Sequence, residues 1–224
     1  MRINVLQHTP NEGPGSIQEW SKQHGHEMYI YHPYQFNGVL PSADETDMLI
    51  ILGGPMSPND DIDWINYERI LIKELLERNI PMFGACYGAQ QIAKTLGYEV
   101  SKAPYKEVGW ATVTLESDTI PDIPRTLTAL HWHEEMFEIP ENAIHLFSSD
   151  LVRNQGYLLN RNVIGLQFHF EPQSDDVREM AINDFEYPND NNSLNQSAQD
   201  IMAANFPTKN KEVMYKLLDF ISQK

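Results

Sequence analysis

The chain has 224 residues, with 16 Lys or Arg against 32 Asp or Glu, a formal net charge of −16 with histidine neutral. That balance argues against nucleic acid and anionic lipid as partners, since both are held by basic faces, and no run of five Lys or Arg offsets it. At 41% hydrophobic and 10% aromatic the composition is that of a core-forming chain, and a single cysteine, Cys86, excludes an intrachain disulfide. The apolar stretch at residues 3–6 is too short for a signal peptide, and the densest one, at residues 48–52, is far too short to span a bilayer. A cytoplasmic protein with no membrane partner is expected.

In chain order, residues 3–8 read as a short buried strand, followed by a Pro/Gly loop and a helix from an N-cap at Ser16 to about residue 24. Residues 27–31 and 47–52 read as strands, the latter ended by Gly53-Gly54-Pro55. Apolar residues at Ile65, Ile70, Leu71, Leu75 and Leu76 suit an amphipathic helix over 64–78. A strand at 80–85 and a helix at 88–96, closed by Gly97, complete an alternation that predicts a parallel sheet covered by helices. Residues 111–115, 127–131, 144–147, 156–159 and 163–168 then read as strands with little helix between them, an antiparallel extension of the sheet. Helices are expected at about 177–185 and 211–222, separated by a polar loop at 187–193 to which no chemistry is assigned. One α/β domain spanning residues 1–224, with 173–224 as its helical tail, is the economical reading.

The segment Gly84-Ala85-Cys86-Tyr87-Gly88 places a nucleophilic residue type where a strand turns into a helix. A lone cysteine without context is more often an inert buried side chain. On such a turn the backbone is strained, the flanking glycines let the two arms pack closely, and the helix N-terminus favours a thiolate. Of the eight histidines, His169 stands at the end of an apolar strand, with Glu171 two residues on to reach the far ring nitrogen. By itself that pair reads as a strand-end histidine beside an exposed acid. With the elbow it becomes nucleophile, base and orienting carboxylate. His8, His24, His26 and His32 call for no more than strand or surface roles. Gly53-Gly54 at a strand end leaves backbone N–H groups free for a developing oxyanion, and the N–H of Tyr87 is a second donor.

Gly53-Gly54-Pro55, then Gly84 to Gln90, then Gln167-Phe168-His169-Phe170-Glu171 resemble, in order and spacing, the three signatures of class I glutamine amidotransferases. The likeness runs from His8 to about Pro172, includes Lys106 to Trp110 and His133 to Pro140, and is strongest to stand-alone, GMP-synthetase-like members. It implies a flavodoxin-like α/β fold and a γ-glutamyl thioester on Cys86. It also implies proton transfer by His169, orientation by Glu171, and an oxyanion hole from Gly54 and Tyr87. Gly53, Pro55, Gln90, His133 and Glu134 would bind substrate, and no cofactor is expected. Two departures stand out: Phe170 where the family commonly has Pro, and Glu134-Glu135 where it usually has Gly-Asp. His131-Trp132-His133 also has metal-ligand spacing, but no further ligand cluster is evident and no metal site is expected.

The stretch after Pro172 is too short for a synthetase domain and has no Gly-rich phosphate loop. Three functions remain open: an amidotransferase with a synthetase subunit supplied in trans, a hydrolase or transferase of γ-glutamyl compounds acting alone, and a catalytically silent binding protein.

Overall fold

The computed structural model describes residues 1–36 and 38–223. Its first half runs β1 (Arg2–Leu6), α1 (Gly15–Gln23), β2 (Glu27–Tyr31), β3 (Met48–Ile51), α2 (Asp63–Glu77), β4 (Met82–Ala85) and α3 (Tyr87–Thr95). The second half runs β5 (Val100–Leu115), β6 (Thr126–Phe137), β7 (Ile144–Ser148), β8 (Gly156–Leu159) and β9 (Val163–Leu166), then α4 (Ser174–Asn183), α5 (Ala198–Ala203) and α6 (Lys209–Ser222).

Among the described residues, nine strands join one sheet in the order β2-β1-β3-β4-β9-β8-β7-β5-β6. The strands from β2 to β9 in that order pair in parallel, whereas β8, β7, β5 and β6 continue it antiparallel. Every residue of β3, β4, β8 and β9 is buried, as strands covered on both faces must be. One face carries Ile3, Val5, Ile50 and Phe83 against Ile17 and Trp20 of α1 and Val213 and Leu217 of α6. The other carries Leu49, Ile51 and Met82 against Leu71 and Leu75 of α2 and Ile92 of α3. Placing β1 beside β3, with β2 outside, creates a crevice beyond the carboxyl ends of the strands, where such sheets bind ligands. Among the described residues no helix is long and apolar enough to cross a membrane.

The α/β pattern expected from the sequence is present, with differences that have physical causes. Pro14, not Ser16, precedes α1; Ser16 lies inside the first turn, where its N–H donates to the Glu171 carbonyl at 2.8 Å. Ile70 is on the outer face of α2 and 66% exposed. The expected strands at 111–115 and 127–131 are ends of a much longer hairpin of 16 and 12 residues. Its polar members, such as Lys102, Lys106 and Glu134, hide the strand period, while backbone pairing across the hairpin holds it extended.

The loop at 187–193 also does more than expected. Asn192 uses its side-chain amide as a strand would, accepting from Val108 N at 3.0 Å and donating to Val108 O at 2.7 Å. Gln196 does the same for Trp110, at 2.9 and 2.7 Å. Two amides therefore satisfy an edge of β5 that would otherwise be orphaned under the tail. Asn192→Ala removes both bonds from buried backbone groups, and we expect a loss of about 2 kcal/mol in urea unfolding. A loss below about 0.5 kcal/mol, typical of surface changes, would contradict the clamp.

Candidate active site

Cys86 stands between β4 and α3 with φ 48° and ψ −109°, a left-handed conformation rare for residues carrying a Cβ. Its N–H donates to Leu166 O of β9 at 2.7 Å, so the neighbouring strand holds the turn in place. The flanking glycines are required by contact. A Cβ on Gly84 would sit 2.6 Å from the Gly88 carbonyl carbon, and one on Gly88 would overlap the Ile51 carbonyl. Behind the elbow lies a buried polar network. Glu68 meets His8 Nε2 at 2.7 Å and accepts from Tyr87 Oη at 2.8 Å and Gln91 Nε2 at 3.1 Å. His8 is therefore a buried anchor of the elbow, beyond the simple strand role expected of it.

The chain leaving β9 turns back to meet β6. His169 N donates to Leu130 O at 2.8 Å, pinning the histidine backbone beside the hairpin. Its Nδ1 lies 2.5 Å from Glu171 Oε1, and Nε2 is buried without a hydrogen-bond partner. Phe170 packs into the core against Phe168 and Phe147, so the departure at this position faces away from the imidazole. Its backbone N–H donates to Glu171 Oε2 at 3.0 Å, a bond that a proline there could not make. The spacing of histidine and carboxylate thus survives, with an extra donor holding the carboxylate.

Burial pushes the Cys86 thiol up from its ordinary range, and the facing His169 and the Tyr87 N–H oppose that rise. Burial disfavours charge on His169 as well, but the Glu171 carboxylate and the thiol outweigh it and hold the imidazole well above its usual range. Gln167, one strand period before His169, donates from Nε2 to Cys86 Sγ at 3.6 Å. Gln90 Nε2 donates to Gln167 Oε1 at 3.1 Å, so the expected substrate ligand also orients a thiol contact. The sequence reading gave Gln167 no role, although alternation along the strand places it on the same side as His169.

These groups open into a cavity of about 430 Å3 lined by Cys86, Gly54, Pro55, Gln90, His133 and Glu134 among others. Gly53 lies behind this wall, with the Glu12 carboxylate and the His169 ring pressed against it, leaving no room for a side chain. Among the cavity residues that sequence reasoning missed are Glu12 from the loop after β1, Tyr187 from the loop after α4, and Asp184 at the end of α4. No local pattern marks them, because only the fold brings them to the crevice. Burial raises the Glu12 carboxyl above the usual carboxylate range, against the pull of His169. Glu12, Asp60, Glu134, Glu135 and Asp184 line the cavity, and no Lys or Arg is among the lining residues described. Cys86 Sγ lies 3.8 Å from the Trp132 carbonyl. On the next residue, His133 lines the cavity while its Nε2 turns to Glu107 at 3.3 Å.

A thiol on a strained elbow, a carboxylate-held imidazole and a glycine pair at a strand end are the groups that acyl transfer through a thiol calls for. The family model for glutamine amidotransferase class-I matches residues 17–186, and the chain belongs to that family. It is 30% identical over 181 residues, 76% of each chain, to the glutamine amidotransferase-like protein YfeJ of Salmonella typhimurium. It is 35% identical over 131 residues to a glutamine-hydrolysing GMP synthase subunit of Sulfolobus acidocaldarius, spanning 57% of this chain and 68% of that one. The structure of a glutamine amidotransferase from Thermotoga maritima superposes with a TM-score of 0.90 over 100% of this chain and 99% of that one, at 23% identity. The fold is accordingly the mixed α/β fold of class I glutamine amidotransferases.

The charge coupling has a direct readout. Glu171→Gln removes the negative charge beside His169, so the imidazole should lose its proton at lower pH. We expect its NMR titration midpoint to fall by about 1–3 units. An unchanged midpoint would show that Glu171 does not set the charge on His169.

Proposed function

We propose that the protein hydrolyses the side-chain amide of glutamine, or a close γ-glutamyl relative, through a thioester on Cys86. One observation carries this reading: Cys86 lines the cavity at a positive φ, and its thiol faces the Glu171-held His169. His169 takes the thiol proton, and the sulfur attacks the amide carbon. The oxyanion that forms accepts from the backbone N–H groups of Gly54 and Tyr87. His169 then gives its proton to the departing nitrogen, the C–N bond breaks, and ammonia leaves a γ-glutamyl thioester. Water, activated by His169, cleaves the C–S bond, giving glutamate and restoring the thiol. Glu171 stabilises the imidazolium throughout. Gly53 and Pro55 shape the wall beside the sulfur, Gln90 acts partly through Gln167, and His133 and Glu134 form the opposite rim.

The acidic cavity supports recognition of the substrate α-ammonium group. The same feature favours a second reading: a γ-glutamyl compound whose leaving group is a larger amine, acted on without a partner. Similarity to the glutamine-hydrolysing GMP synthase subunit supports instead a synthetase in trans that uses the ammonia. Residues 1–224 would act as one domain in either case, inside the cell.

Purified protein offered glutamine and γ-glutamyl peptides should release ammonia or the free amine. Cys86→Ala should reduce that rate by at least about 10³-fold, as loss of a nucleophile does in comparable triads. Equal turnover by both proteins would eliminate the thioester route.

A further inference from the structure

We propose that Glu107, His131 and His133 form a binding site for one divalent transition ion of the zinc type, separate from the Cys86 nucleophile. The antiparallel register of β5 and β6 sets Glu107 directly opposite His133, and His131 lies two residues along on the same face. All three side chains are buried, at 0–1% exposure, and one ligand atom from each comes within 4.8 Å of the others. Glu107 Oε2 is 3.5 Å from His131 Nδ1 and 3.3 Å from His133 Nε2, yet neither contact has hydrogen-bond geometry. Donor atoms about 2.0–2.2 Å from a tetrahedral zinc ion stand roughly 3.3–3.5 Å apart, so the two separations fit a shared ion.

The surroundings orient the ligands. His133 Nδ1 lies 3.1 Å from the Glu135 carbonyl, which accepts its proton and leaves a bare lone pair on Nε2. That lone pair faces a carboxylate oxygen across 3.3 Å, a repulsive pairing unless a proton or a metal cation stands between them. A ligand histidine whose other nitrogen donates to a carbonyl is the usual arrangement around a metal. Glu107 is itself positioned, accepting from Ser149 Oγ at 2.9 Å and Gln155 Nε2 at 2.6 Å. Four buried polar atoms without partners gather here: both ring nitrogens of His131, Nε2 of His133 and Oε1 of Gln155. Two imidazoles and one carboxylate favour zinc, cobalt or nickel over magnesium or calcium, which prefer all-oxygen shells. The sequence offered only His131 and His133; the third ligand comes from the other arm of the hairpin.

The test uses tag-free full-length protein, stripped with chelator and dialysed against zinc sulfate, with bound metal measured by plasma mass spectrometry. One zinc per chain is expected, retained in Cys86→Ser and weakened at least tenfold in Glu107→Gln and in His131→Asn. Cobalt loading of the wild-type protein needs no variant. Four-coordinate d–d bands without thiolate-to-cobalt charge transfer support the site. A thiolate charge-transfer band, which would place the ion on Cys86, overturns it. So does the absence of retained zinc, or retention unchanged in folded Glu107→Gln protein.

Discussion

The strained turn at Cys86 is the constraint on which the rest of the site depends. A residue with a Cβ at φ 48° costs of order 1–3 kcal/mol and persists only where its surroundings leave no alternative. Here the Leu166 carbonyl fixes the N–H, Gly84 and Gly88 let strand and helix close on one another, and the His8–Glu68–Tyr87 network locks the first turn of α3 from behind. The result is a sulfur held at the helix N-terminus, at the floor of the crevice. The net charge of −16 does nothing for a thiolate, so its stabilisation must be local. The groups on hand are the helix N-terminus, the Tyr87 N–H and His169.

A second layer of order comes from the β5–β6 hairpin. It reaches over the sheet edge to pair Leu130 with His169, brings the Trp132 carbonyl near the sulfur, and forms one cavity wall with His133 and Glu134. The tail secures that limb through Asn192 and Gln196 and contributes Tyr187 to the cavity. Parts of the chain that carry no motif thus decide the shape of the pocket.

What could be read from the sequence follows from the range of each interaction. The elbow, the His169–Glu171 pair and the glycines at 53 and 54 are local arrangements, visible because a tight turn or a two-residue reach forces particular residue types. The helices covering the parallel strands show in their apolar period. Glu107 beside His133, Gln167 against the sulfur and Glu12 behind Gly53 depend on register and on packing between distant segments, which local patterns do not encode. The length of the hairpin was hidden for a related reason: its polar residues lie on exposed positions or in the buried cluster, and neither keeps strict alternation.

The central claim is that Cys86 carries the acyl group. Rapid acid quench of wild-type protein during turnover of glutamine, followed by peptide mass spectrometry, measures this directly. The account predicts a γ-glutamyl adduct on the peptide containing Cys86, lost on treatment with hydroxylamine. Turnover with Cys86 unmodified at every quench time, or an adduct on another residue, would contradict it.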